Sequence, residues 1–105
     1  MTIRAKAAGL ALRKAELALV RTILREHAPA HKVFAFGSRA YTQAQSRAAI
    51  KAHADLDLLF EGPSLNLEQR FALREAFSES DLPMRVDVVE AAELPAQWEI
   101  RAWPI

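Results

Sequence analysis

Six residues near the middle of the chain decide the fold: DLDLLF, residues 55–60. Because side chains alternate between the two faces of a β-strand, this pattern places Asp55 and Asp57 on one face and the leucines between them on the other. A turn signal, EGPS at residues 61–64, follows directly. The stretch therefore predicts a strand that is apolar on one face and carries two neighbouring carboxylates on the other.

Two further strands are predicted on either side of this stretch. KVFAF, residues 32–36, supplies β-branched and aromatic residues and runs into a Gly-Ser pair, and MRVDVV, residues 84–89, is apolar except for its charges. Residues 91–105 read as a short tail, since Pro95 and Pro104 interrupt any long element.

Helices are predicted between these strands. Residues 5–28 are rich in good helix formers, with leucine and valine recurring at helical spacing before Pro29 ends the segment. A second helix begins at a capping Asn66, with Gln69 completing a capping box, and ends near Ser80. The apolar stripe expected along this helix consists of Leu67, Phe71 and Phe77. Residues 39–54 are expected to be part helix and part loop.

The order of these elements predicts an α+β fold, a short mixed sheet packed by helices. At 105 residues and 51% hydrophobic composition, we expect residues 1–105 to form one domain. Its 14 basic and 13 acidic residues almost balance, which gives no overall attraction to nucleic acid or membrane. The chain has no cysteine, and a cytoplasmic location without a membrane span or signal peptide is expected.

The carboxylates are the strongest candidates for chemistry. Two aspartates side by side repel each other unless a cation lies between them, and oxygen ligands at this spacing suit Mg2+. Asp87 lies in an otherwise apolar strand, where a charge needs a partner. If that strand neighbours residues 55–60, three carboxylates converge. The alternatives are a solvated strand face for the Asp pair and, for Asp87, a stabilising ion pair with Arg85 or Arg74.

A second candidate site is the turn after the first strand. Gly37 permits close approach of a phosphate, and the hydroxyl of Ser38 and the backbone N–H groups can bind its oxygens. Arg39 follows directly and is expected to stabilise negative charge on a leaving pyrophosphate. The alternative is an ordinary Gly-Ser turn.

These segments together resemble the minimal nucleotidyltransferases of the DNA polymerase beta superfamily, and most of all the MNT-type antitoxins. The resemblance rests on VFAFGSRA, residues 33–40, ADLDLL, residues 54–59, and RVDVV, residues 85–89. The family commonly has Arg-Gly where this chain has Tyr41-Thr42 and Ser where it has Ala54, and residues 43–52 look like an insertion.

The resemblance implies a polymerase beta-like fold in which Gly37 and Ser38 contact a nucleoside triphosphate. It also implies that Asp55, Asp57 and Asp87 hold Mg2+ and catalyse nucleotidyl transfer. Family members silence a HEPN-domain ribonuclease toxin by moving AMP from ATP onto a tyrosine hydroxyl, so such a toxin is the expected partner. Two alternatives stay open: a non-catalytic module that neutralises its partner by binding it, and a nucleic-acid binder that uses the basic residues between Arg4 and Arg25.

Overall fold

The computed structural model describes residues 1–45 and 50–105, and its main feature is a five-stranded mixed sheet. Residues 46–49 of the expected insertion lie outside the described residues. Two 3-10 turns, Gly37–Arg39 and Ala91–Glu93, follow strands. The helices and strands are β1 Thr2–Lys6, β2 Gly9–Leu10, α1 Lys14–His27, β3 Lys32–Phe36, β4 Ala40–Tyr41, β5 Leu56–Glu61, α2 Leu67–Ser78, β6 Val86–Glu90 and β7 Glu99–Pro104.

The sheet has the strand order β1-β7-β3-β5-β6. β5 pairs antiparallel with β3 on one side and parallel with β6 on the other. In this register Asp57 lies opposite Phe36 of β3 and opposite Asp87 of β6. The expected α+β fold with a short mixed sheet and packing helices is confirmed, and β5 lies between the strands that carry the other candidate residues.

The hydrophobic core lies on the helix side of β5. Leu56 and Leu58 are completely buried and pack in one cluster with Val20 of α1 and Leu73 of α2. Asp57, between the two leucines, points to the opposite face and is only partly buried. The alternation that the sequence predicted therefore holds, and core packing decides which face carries the carboxylate.

Both ends of the chain differ from the prediction, because each contributes a strand to the sheet. The predicted helix over residues 5–28 begins only at Lys14, and the residues before it include β1, which pairs parallel with β7. The predicted tail contains β7, which lies between β1 and β3. Both strands do alternate polar and apolar residues, as TIRAK in β1 and as EIRA at the start of β7, but four side chains of β1 and three of β7 are exposed. So short an alternation was outweighed by the helix formers of residues 5–28 and by the prolines of residues 91–105.

Helix α2 begins as predicted, but its apolar stripe is different. Asn66 accepts a hydrogen bond from the backbone N–H of Gln69, whereas the Gln69 side chain donates to the carbonyl of His27 at the end of α1. Gln69 therefore joins the two helices instead of completing a capping box. Leu67 and Phe71 are 85% and 66% exposed, and the inward residues are Leu73 and Phe77. Positions 67 and 73 are separated by about 120° around the helix, so one stripe cannot contain both.

Segment 39–54 is organised by a buried arginine. The described part holds strand β4, paired antiparallel with β2, rather than the expected helix. Arg39 is 6% exposed, and its guanidinium donates to the carbonyls of Ala11, Ala52 and Ala54 at 2.6, 3.0 and 2.8 Å. The side chain thereby fastens the segment before β5 to the segment before α1.

Among the described residues, neither helix combines the length and the apolar character that crossing a bilayer requires.

We expect Arg39→Met to destabilise the fold by at least about 2 kcal/mol, because it removes three hydrogen bonds from carbonyls in a poorly hydrated site. Urea unfolding followed by circular dichroism measures this change. Arg21→Met on the exposed face of α1 removes the same charge and serves as the control. Equal unfolding midpoints for the two variants would show that the Arg39 hydrogen bonds contribute no net stability.

Candidate active site

Three carboxylates meet at the end of the sheet where β5 and β6 begin. Because these strands are parallel, Asp57 and Asp87 lie side by side in register, and Asp55 precedes β5 by one residue. All three side chains are partly exposed, so solvent and ligands can reach them. The sequence analysis predicted convergence of the three carboxylates only if these two strands are neighbours, and β5 and β6 are indeed paired. We call Asp55, Asp57 and Asp87 the site carboxylates.

Arg85 is the cation that contacts two of these groups. Its Nη2 atom lies 3.2 Å from Oδ2 of Asp55 and 3.3 Å from Oδ2 of Asp87. Both carboxylates raise the pKa of Arg85, Asp87 more than Asp55. The ion pair with Arg85 that the sequence suggested for Asp87 is therefore present, and it extends to Asp55 as well.

Asp57 holds its proton more tightly than an ordinary aspartate. Partial burial is the largest cause, and the neighbouring Asp87 adds to it through charge repulsion and a shared hydrogen bond, so that the pKa of Asp57 rises to about 6. Asp55 raises it further, and Arg85 opposes the change. The positive charge of Arg85 is thus too small to stabilise the ionised form of Asp57 fully beside two other carboxylates.

The Gly-Ser turn contacts this cluster directly. Gly37 follows β3 with φ of +74°, a backbone conformation that favours glycine. A Cβ atom on Gly37 would overlap Oδ2 of Asp57, so a larger residue there would displace the carboxylate. Gly37 and Ser38 are both exposed. The turn and the carboxylates therefore line one open surface, with the turn on the β3 side and Asp87 on the β6 side.

Arg39 does not belong to this surface, which corrects the expectation that it contacts phosphate. It is almost completely buried, and its N–H groups are directed to backbone carbonyls. An exposed arginine next to a Gly-Ser turn and a buried one have the same sequence signature. The difference comes from acceptors in two distant segments, around Ala11 and Ala52, which no local pattern reveals.

A cleft of about 590 Å3 adjoins Asp87 on the outer side of β6. Its walls combine apolar side chains such as Phe77 and Met84 with the two cations Arg74 and Arg85. The sequence analysis missed this cleft, because its lining comes from the end of α2, the loop after it and the start of β6. These residues belong to different elements, and they become neighbours only when α2 packs on the sheet.

The site carboxylates fit a hard divalent cation by their chemistry. Within residues 1–45 and 50–105, no three His, Cys, Asp or Glu side chains form a ready-made metal cluster. The guanidinium of Arg85 lies between Asp55 and Asp87. Carboxylate oxygens are nevertheless the ligands that Mg2+ prefers, and the raised pKa of Asp57 reflects a group that gains from added positive charge.

We expect the raised pKa of Asp57 to make the metal-free protein less stable as pH increases. The carboxyl binds its proton more tightly in the folded state, with a pKa of about 6 against 3.8, so this stability is complete below about pH 4 and is lost as pH rises through about 6. Asp57→Asn removes this dependence, and urea midpoints at several pH values measure it. Parallel pH curves for the two proteins would show that the pKa is not raised.

Comparison with known proteins places the chain in a family. No family model matches the chain. The chain is 44% identical over 86 residues to a protein of Haemophilus influenzae named "Probable protein adenylyltransferase MntA", and the match covers 81% of this chain and 70% of the relative. This similarity confirms the expected class of enzyme, a nucleotidyltransferase, and agrees with the mixed sheet and its two helices. The chain belongs to the minimal nucleotidyltransferases of the DNA polymerase beta superfamily, in the MNT-type antitoxin branch.

Proposed function

We propose that the chain transfers AMP from ATP, with Mg2+, to a tyrosine hydroxyl of a partner HEPN-domain toxin. The observation that carries the proposal is the contact between Gly37 and Asp57 beside the registered pair Asp57 and Asp87. It supports the proposal because the Gly37-Ser38 turn, which would bind phosphate, and the three carboxylates line one open surface. The name of the Haemophilus relative, a protein adenylyltransferase, supports ATP as the substrate and a protein as the acceptor.

The site carboxylates would hold Mg2+, and the ion would supply positive charge to the triphosphate as the transition state forms. Gly37 lets a phosphate approach the backbone closely, and the exposed Ser38 offers a hydroxyl and an N–H group to its oxygens. Because Asp57 is in contact with the turn, its oxygens lie within reach of the same phosphates. Arg39 acts indirectly, by holding the segment that leads into β5.

The reaction is a displacement at the α-phosphorus. The acceptor oxygen forms a bond to that phosphorus, the bond to the β-phosphate oxygen breaks, and pyrophosphate leaves. Asp87 takes the hydroxyl proton. Attacking and leaving oxygens lie roughly in line. If pyrophosphate is held by the turn on the β3 side, the acceptor therefore approaches from the β6 side, where Asp87 borders the cleft.

A partner protein is also supported by the surface of α2. Leu67 and Phe71 are one turn apart and 85% and 66% exposed. Exposed apolar side chains that adjoin each other are a common feature of protein interfaces. The same observation favours the second candidate function, a non-catalytic module that neutralises its partner by binding alone. We place either function in the cytoplasm, because the cysteine-free chain needs no oxidising compartment.

Asp57→Asn should reduce AMP transfer to the partner at least about a hundredfold, because the amide keeps the size of the carboxylate but loses its charge. The assay incubates the chain with the HEPN partner, α-labelled ATP and Mg2+ and follows label on the partner. Glu26→Gln, at an exposed position of α1 on the helix side of the sheet, serves as the control. Transfer that survives in Asp57→Asn, or that wild type never shows, would reject the catalytic proposal.

Leu67→Ser with Phe71→Ser should weaken partner binding about tenfold or more while leaving the unfolding midpoint nearly unchanged, since both side chains are exposed. Titration calorimetry with the HEPN partner measures the affinity. Trp98→Ser, at another exposed apolar residue, is the control. Binding that Asp57→Asn retains and the double variant loses, with no transfer by wild type, would favour the non-catalytic module. Unchanged affinity would exclude α2 as the docking face.

A further inference from the structure

The ion pairs of Arg85 are more exposed than those of Arg70, the other arginine that contacts two carboxylates within the described residues. Arg70 is 19% exposed and divides its N–H groups among Glu90, Glu93 and the carbonyl of Val88, which fastens α2 to β6. Arg85 is 72% exposed, and the contacts recorded for it among the described residues go to Asp55 and Asp87. Arg70 links elements of the fold, whereas Arg85 neutralises the site carboxylates.

The ion pairs of Arg85 are of a kind that exchanges readily. Pairs this exposed contribute little to stability, because water screens the charges and the long side chain loses freedom when it is held. The contacts of Arg85 go to Asp55 and Asp87, and within the described residues none is seen from its guanidinium to Asp57. A small cation with a higher charge that reached all three carboxylates would neutralise the cluster more completely than the guanidinium does.

The guanidinium and a metal ion compete for the same space. A single nitrogen, Nη2, lies 3.2 and 3.3 Å from one oxygen of Asp55 and one of Asp87. Mg2+ binds oxygens at about 2.1 Å, so an ion held by both carboxylates would sit between these two oxygens, where the nitrogen now lies. Repulsion between the two cations further excludes simultaneous binding.

We propose that Arg85 is a resident counter-cation of the active site, and that a divalent metal ion binds by displacing its guanidinium from Asp55 and Asp87. This inference rests on the proposed role of the site carboxylates as metal ligands. Arg85 also lines the cleft beside Asp87, so its side chain has open space to enter when it leaves the carboxylates. Arg85 is thus a positioning residue, which bridges Asp55 and Asp87 and compensates their charge until a metal ion arrives.

The test measures binding of Mn2+ to the metal-free chain, with the electron paramagnetic resonance signal of unbound Mn2+ as the readout. We expect Arg85→Gln to bind Mn2+ about three- to tenfold more tightly than wild type, as the loss of two exposed ion pairs implies. Arg74→Gln removes a cation from the same cleft without removing a contact to the site carboxylates, and should stay within about twofold of wild type. Arg85→Lys keeps the charge and should lie between wild type and Arg85→Gln.

The outcomes separate this inference from the proposed function. Equal or weaker Mn2+ binding by Arg85→Gln would overturn the exchange, and so would an equal gain in Arg74→Gln, which would reflect net charge alone. If neither wild type nor any variant bound Mn2+, the metal role of the carboxylates would fail and the exchange with it. In wild type, the Arg85 Nε–Hε resonance should shift on addition of Mg2+, and a signal that does not move would also contradict displacement.

Discussion

The burial of two leucines in β5 is the constraint on which the candidate site depends. Leu56 and Leu58 pack against both helices without solvent exposure, and this packing prevents the strand from slipping by one residue. A slip would place Asp57 in the core, where an uncompensated charge is very unfavourable. The hydrophobic core therefore fixes the direction of Asp57, and the parallel register with β6 then sets Asp87 beside it.

Close contact at Gly37 extends this constraint from the strand to the turn. The left-handed conformation and the absent Cβ let the end of β3 lie against the carboxylate of Asp57. Two features that are twenty positions apart in sequence thereby become one surface. The buried Arg39 also holds the turn in place, because its guanidinium donates hydrogen bonds to the segment before β5. Rigid placement of the site comes from these contacts rather than from the loop sequence itself.

Local patterns were enough to predict β3, β5, β6 and the start of α2. Each has a signal within a few residues, such as the alternation of Asp and Leu in residues 55–60 or the capping Asn66. The terminal strands β1 and β7 had only a brief alternation of polar and apolar residues, and they are held by pairing with each other across nearly the whole chain. The candidate site was predictable where a pattern fixes direction, as for Asp57. It was not where long-range acceptors decide, as for Arg39.

The structural role of an arginine in this fold depends on how exposed its side chain is, as a comparison of three arginines shows. Arg39 is buried and satisfies backbone carbonyls, a role that needs the full planar set of donors. Arg70 is mostly buried and combines two carboxylates with a carbonyl, so it joins elements. Arg85 is largely exposed and contacts two carboxylates of the candidate site. Only an arginine of the last kind can leave its partners without breaking the fold, because water rather than an empty interior site receives the charge.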